Sequence, residues 1–236
     1  MYDRRINSVN LSAWKDRLAA GKYDAPLAAL YGAADAPRSR YARLCEEYLR
    51  TFGDAPDALL ISAPGRTELA GNHTDHQLGI VLCAAVTLDT AAAAASAADN
   101  AVEIVSDGFG RVRVSLDDPA PRKNETGTTA ALIRGVAAGF AARGLRIGGW
   151  RACIHSLVPA GGGLSSSAAF EILTGAVFSA LYNGGRVDAL TLARIGQSAE
   201  RNYFGKPSGS GRERIRRHHE DRFCRQRTPG HFAHRV

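Results

Sequence analysis

What the sequence lacks narrows its class first. Its 236 residues include one methionine, two tryptophans and four cysteines, and only 7% are aromatic. Cys45, Cys83, Cys153 and Cys224 stand far apart with no CxxC pair. That argues against a zinc knot or a dense disulfide framework and fits a reducing compartment. The start, MYDRRINSVNLSAWK, has no apolar core of a secretory leader. The most apolar stretch, residues 80–98, is rich in alanine and is broken by Thr87, Asp89 and Thr90, so it makes a poor membrane span. A cytoplasmic protein with no membrane partner is the expectation. With 45% hydrophobic and 22% charged residues, the chain has the composition of a globular protein and the length to bury a sizeable core.

The formal net charge is +7, but it is unevenly spread. Residues 211–236 hold eight arginines against three acidic residues, no lysine, and four of the seven histidines. The first 210 residues carry only +2. The basic character therefore belongs to a tail without an apolar period. Such a tail could bind nucleic acid or an acidic membrane surface. It says little about the folded body, for which we expect no nucleic-acid partner.

Periodicity sets the order of elements. Tyr41, Leu44, Tyr48 and Leu49 recur at helical spacing within a helical region over residues 1–50. Residues 59–62 read as a strand ended by Ala63-Pro64-Gly65, and residues 79–88 as a buried strand. Residues 102–105 and 112–116 flank a Ser106-Asp107-Gly108 turn and read as a hairpin. Leu132, Val136 and Phe140 mark a helix over 128–143, with Gly144 as its stop. A strand over 150–157, a helix over 165–182 and a last helix from Asp188, a good N-cap, to Phe204 complete the order. Strands precede an alternation with helices, which predicts an α+β fold.

Two segments carry chemistry. Pro159-Ala160-Gly161-Gly162-Gly163-Leu164-Ser165-Ser166-Ser167-Ala168-Ala169 comes after a strand and opens a helix. Glycines allow close backbone approach, and the free N–H groups and dipole of the helix start favour a phosphate. The serines add hydroxyls for phosphate oxygens or a magnesium ion. No Gly-Lys-Ser/Thr closes the loop, so it is not a Walker A motif. A glycine-rich connector before a serine-capped helix is the plainer alternative. The second segment, Gly65-Arg66-Thr67-Glu68-Leu69-Ala70-Gly71-Asn72-His73-Thr74-Asp75-His76, reads as a polar loop between two strands. Its Asp and His side chains can bond sugar hydroxyls, and Arg can stabilise phosphoryl charge. A polar loop with a structural salt bridge is the alternative. His73 and His76 sit at i, i+3, but no further cluster supports a metal site there.

Together the segments resemble those of the GHMP kinases, and of the galactokinases most closely. APGRTELAGNHTDH is similar to the sugar-binding motif GRxNxIGEHTDY, and VPAGGGLSSSAAFE to the family's ATP-phosphate loop. QSAERNYFGKPSG, residues 197–209, resembles the approach to the family's G-x-M-D-Q catalytic segment. The resemblance covers residues 35–209, with three motifs in family order. It implies the family's N-terminal domain, with the fold of the second domain of ribosomal protein S5, over residues 1–209 (sugar motif 63–76, phosphate loop 159–169). It also implies ATP-dependent phosphorylation of galactose at its anomeric hydroxyl, with ATP and Mg2+ as cofactors and a monomer for the intact protein. Arg66 would lie by the transferred phosphoryl group as the catalytic residue. Arg66, Asn72, His73 and Asp75 would bind the sugar. Gly161, Gly162, Gly163, Ser165, Ser166 and Ser167 would cradle the nucleotide. Ser167 and Glu200 would contact magnesium, with an ordinary exposed helix acid as the alternative for Glu200.

The resemblance has limits. Asn72 stands where the family has Glu, and His76 where it has Tyr, which leaves open a related sugar such as N-acetylgalactosamine. The family's proton-handling aspartate is due about three residues after Gly209, where Ser210, Gly211 and Arg212 stand, and no Met-Asp-Gln occurs. The C-terminal domain the resemblance calls for has no counterpart. A one-base shift of frame accounts for the change. Back-translating residues 218–235 with permitted codons and starting one base later allows IMKIDFADSEHPVISRIA. That segment is strand-like and similar to the family's stretch just after the catalytic aspartate. Residues 210–236 then read as an aberrant, disordered tail, and the chain by itself as inactive and marginally stable. A non-catalytic galactose- and ATP-binding regulator is the alternative.

Overall fold

The computed structural model describes residues 9–70, 82–108 and 110–205, and the alanine-rich run lies in the interior of its sheet. Its strands are β1 (Leu59–Ala70), β2 (Leu82–Ser96), β3 (Ala101–Ser106), β4 (Gly110–Ser115) and β5 (Trp150–Ser156), in the order β1-β2-β5-β3-β4. Neighbours are antiparallel except β3 and β5, which run parallel. On β2 the side chains alternate between two cores. Ala92 and Ala94 face one, and Ala91, Ala93 and Ala95 face the other. The sequence predicts a buried strand over 79–88, but residues 82–88 are exposed or half-buried, and it is residues 89–95 that are buried, where helices cover both faces.

Among the described residues, three helices cover each face. On one side lie α1 (Leu11–Ala19), α2 (Asp24–Tyr31) and α3 (Asp35–Phe52), whose Trp14, Leu18, Leu44 and Tyr48 fill the core. On the other lie α4 (Thr129–Ala141), α5 (Ser166–Tyr182) and α6 (Ala189–Ala199). Phe178 sits 5.5 Å from Phe140 and 5.8 Å from Trp150, ring centre to ring centre, in tilted and edge-on contacts. The helix starts are built as their sequences require. Thr128 and Asp188 cap α4 and α6 by accepting from Ala131 N and Thr191 N. The result is an α+β fold with one mixed sheet between two helical layers. The hairpin, the β5 strand and the four long helices stand close to where periodicity set them.

A charged pair is buried between the first helical layer and the sheet. The guanidinium of Arg40 on α3 pairs with Asp89 on β2, and its Nε donates to His155 Nδ1 at 2.9 Å on β5. Asp89 is only 3% exposed, and its other oxygen accepts from Tyr31 at 2.6 Å. Burial pushes the His155 pKa down, and the adjacent Arg40 and Arg43 guanidiniums push it further.

This packing has two testable outcomes. On α4, a Cβ at Gly135 would lie 2.7 Å from the Ala199 methyl and 2.8 Å from its Cα. Gly135→Ala is therefore expected to cost about 1–3 kcal/mol by overpacking. That outweighs the roughly 0.8–1.0 kcal/mol that alanine gains in helix propensity. A urea midpoint equal to or above wild type would show that α4 and α6 do not meet so closely. The second outcome concerns pH. His155 has a folded pKa below its unfolded value near 6.5, so the neutral ring's contribution is complete above that value. It is lost as pH falls through the lower folded pKa. Urea denaturation should show stability declining from pH 7 to pH 5, and less steeply in His155→Asn.

Candidate functional site

β1 does not stop at Pro64. It continues to Ala70, with a register shift between Pro64 and Arg66. β1 is an edge strand, where a missing proline N–H removes no obligatory ladder bond. Residues 66–70 thus lie on a strand, not in the loop that the sequence predicts. The bulge at Gly65 has a purpose in packing. A Cβ there would sit 2.9 Å from the Leu164 carbonyl oxygen and 3.2 Å from both Val158 methyls. Only glycine lets the two chains approach this closely.

That approach joins the two chemical segments. The Arg66 backbone N–H donates to Leu164 O at 3.1 Å, and its Nε donates to Ser165 Oγ at 3.1 Å. Its other guanidinium nitrogen lies 3.4 Å from Cys83 Sγ on β2. In the glycine loop, Gly161 and Gly163 adopt φ of +73° and +74°. Ser165 adopts φ +58°, the single positive value outside glycine among the described residues. Its hydroxyl does not cap α5. It is turned toward Arg66 instead, so the serine-cap alternative does not describe this helix start. The first-turn N–H groups are left for another acceptor.

Ser167 donates to Glu200 Oε1 at 2.7 Å. The sequence predicts one helix to Phe204. Instead α6 ends at Ala199 and a wider π turn runs over Glu200–Phe204, closed by Gly205 at φ +84°. Such turns often occur where a side chain is re-aimed at a functional site. Ser167 and Glu200 thus form a pair of hard oxygen donors. That pair suits Mg2+ if phosphate oxygens and waters complete the shell. Among the described residues, no group of three or more His, Cys, Asp or Glu could hold a metal unaided.

A cavity of about 210 Å3 opens beside this loop. Ile104, Val112, Ile154 and Phe170 supply apolar walls, and Ser166 and Ser167 lie at its polar end. Its lining includes Thr90 and Ser156, whose hydroxyls are 2.8 Å apart. A wider groove of about 660 Å3 lies at the far ends of α4 and α5, lined by Arg143, Arg146, Tyr182 and Arg186 among others. It contains none of the candidate residues.

Asn72, His73, Asp75 and His76 lie outside the described residues, as does the tail from residue 206. Of the rest, the structure brings Arg66 to Ser165, and Ser167 to Glu200. Sequence reasoning missed Cys83, the Leu164 carbonyl and the Thr90–Ser156 pair. The one signal that could have pointed to them was Asp89 and Thr90, polar residues inside an otherwise apolar run. Among the described residues, no helix is long and apolar enough to cross a membrane.

Comparison with known proteins gives consistent matches. Residues 46–96 match the galactokinase galactose-binding signature, and residues 127–211 match the GHMP kinases N-terminal domain. The galactokinase of Lactococcus lactis subsp. lactis is 32% identical over 170 residues, which is 70% of this chain and 42% of that protein. That of Bacillus subtilis is 36% identical over 166 residues, 69% of this chain and 42% of that protein. The crystal structure of the Lactococcus lactis galactokinase complexed with galactose superposes with a TM-score of 0.63, at 31% identity over 70% of this chain and 42% of that one. The Methanococcus jannaschii mevalonate kinase shares the fold, with a TM-score of 0.53 at 18% identity over 64% of this chain and 49% of that one. The chain spans less than half the length of the curated relatives it matches. The glycine loop and its arginine contact thus sit in a domain that matches the N-terminal part of the galactokinases, and the chain belongs to the GHMP kinase family, on its galactokinase branch.

Proposed function

We propose that this chain forms the nucleotide- and sugar-binding part of a kinase that transfers phosphate from ATP to the anomeric hydroxyl of galactose. The observation that carries this reading is the backbone contact between Arg66 and Leu164. It brings the sugar-type segment and the phosphate-type loop to one point. The α5 first turn and the Gly161–Gly163 backbone donate to the phosphates, while the apolar cavity takes the base. Arg66 stands beside the transferred group and stabilises the charge on its oxygens. Asn72, His73 and Asp75 come next on the same segment and orient the sugar. Ser167 and Glu200 would help hold Mg2+, which would supply positive charge against the phosphates. Catalysis of this type is mostly positioning and charge stabilisation.

The acid that would take the hydroxyl proton has no counterpart at Ser210, Gly211 or Arg212. We therefore expect binding without appreciable turnover from this chain alone. Calorimetry should show binding of both galactose and Mg·ATP, with Gly65→Val weakening the nucleotide at least tenfold by displacing the loop. Galactose-dependent ADP release at the rate of a full-length galactokinase would contradict the inactivity. Absence of nucleotide binding would remove the kinase reading. Galactose failing to bind while N-acetylgalactosamine binds would favour the related-sugar alternative that Asn72 and His76 leave open.

The tail carries a second proposal. Residues 210–236 read as a frame-shifted continuation of a galactokinase message. Sequencing the gene from the Gly205 codon onward should reveal a one- or two-base correction that restores Met-Asp-Gln. A confirmed frame with nothing matching downstream would overturn this.

A further inference from the structure

The buried charge network between α3 and the sheet ends where the chain leaves the sheet for the glycine loop. The Arg40 side chain is only 9% exposed and meets acceptors on two strands. Besides its contact with Asp89 Oδ1, it donates to Asp89 O at 3.2 Å, His155 O at 2.7 Å and His155 Nδ1 at 2.9 Å. Asp89 O also accepts from Leu157 N at 2.8 Å, beyond the end of β5. One residue further along each strand, Thr90 and Ser156 pair and line the cavity. Ser156 Oγ then accepts from Val158 N at 3.2 Å. Val158 in turn is one of the contacts that only glycine at position 65 permits. A continuous set of contacts thus runs from Arg40 to the two segments of the proposed site.

A buried ion pair is a weak source of stability, since apolar residues of similar volume often serve as well. What it supplies is direction. A guanidinium fixes several acceptors in its plane, which an ammonium cannot do. We propose that Arg40 is a positioning residue for the glycine loop, clamping β2 to β5 so that Ser156 and Val158 hold the loop in its nucleotide-binding geometry. The proposal rests on the nucleotide-binding reading above. The clamp requires neutral His155, because Nδ1 must keep its lone pair to accept from Arg40. The charged groups around the ring are Arg40 and Arg43 from α3, Asp89 from β2 and Asp107 from the turn after β3. On balance they and burial favour the neutral ring.

The test uses the full chain and Mg·ADP as probe, with affinity measured by calorimetry and folding by circular dichroism. Arg40→Lys keeps a charge opposite the buried Asp89 and should stay folded yet bind Mg·ADP at least tenfold more weakly, and Arg40→Met, which leaves Asp89 buried without its partner, should do the same wherever it folds. Folded variants within twofold of wild type would overturn the clamp while leaving the nucleotide reading intact. A wild-type chain that fails to bind Mg·ADP would overturn that reading, and the clamp with it. If neither Arg40 variant folds, His155→Asn decides, since its amide oxygen can accept from Arg40 and does not titrate. Wild-type affinity should then fall more steeply than that of His155→Asn as pH drops below 6.5 and through the lowered pKa of the folded ring. Parallel profiles would sink the proposal, since a residue that serves stability alone leaves the affinity of the folded fraction unmoved.

Discussion

The approach of β1 to the start of α5 organises the rest of the molecule. At Gly65 the two backbones come closer than any side chain allows, and Arg66 N–H bonds the Leu164 carbonyl across the gap. This contact needs a bulge in β1, and a bulge is tolerated because β1 lies at the sheet edge. It also needs a loop that can turn sharply, which Gly161, Gly163 and the left-handed Ser165 provide. Once made, it directs the Arg66 side chain to Ser165 and leaves the α5 first turn uncapped by that serine. A strained, unsatisfied helix start is poor for stability alone. It is what a site for an anionic group requires.

Behind this contact lies a support built of very different material. β2 is flanked by β1 and β5 and covered by helices on both faces, and its alanines keep it free of bulk on either side. Alanine supplies little specific interlocking, however. Direction along the strand comes from the polar residues at its middle, Asp89 and Thr90. Asp89 engages the first helical layer through Arg40 and Tyr31, and Thr90 engages β5 through Ser156. The buried alanines of the strand hold the sheet in the core, and Asp89 and Thr90 just before them align the edge of the cavity.

Much of this was legible. The stripe of Leu132, Val136 and Phe140 marked α4 because burial on one helical face imposes its own spacing. Asp188 and Thr128 sit where helix starts need an acceptor. The glycine loop was legible as the link between a strand and a helix, because its glycines follow an apolar run and precede a helical one. Other features were hidden for physical reasons. A proline normally ends a strand, so the continuation of β1 through Pro64 could not be inferred without knowing that β1 is an edge. The end of α6 was hidden too, since a π turn and an α-helix share the same side-chain preferences over one turn.

The sequence by itself determined the element types, the family motifs and their order, because periodicity, capping and glycine placement are local properties of the chain. Only the tertiary structure decided that β5 inserts between β2 and β3, which are neighbours in sequence. Strand order depends on contacts between segments some fifty residues apart, and no local preference encodes them. The same insertion brings His155 and Ser156 beside Asp89 and Thr90, and so creates the network behind the loop. Arg40, on a helix far from both, became part of it only when the first helical layer packed on the sheet and buried its charge.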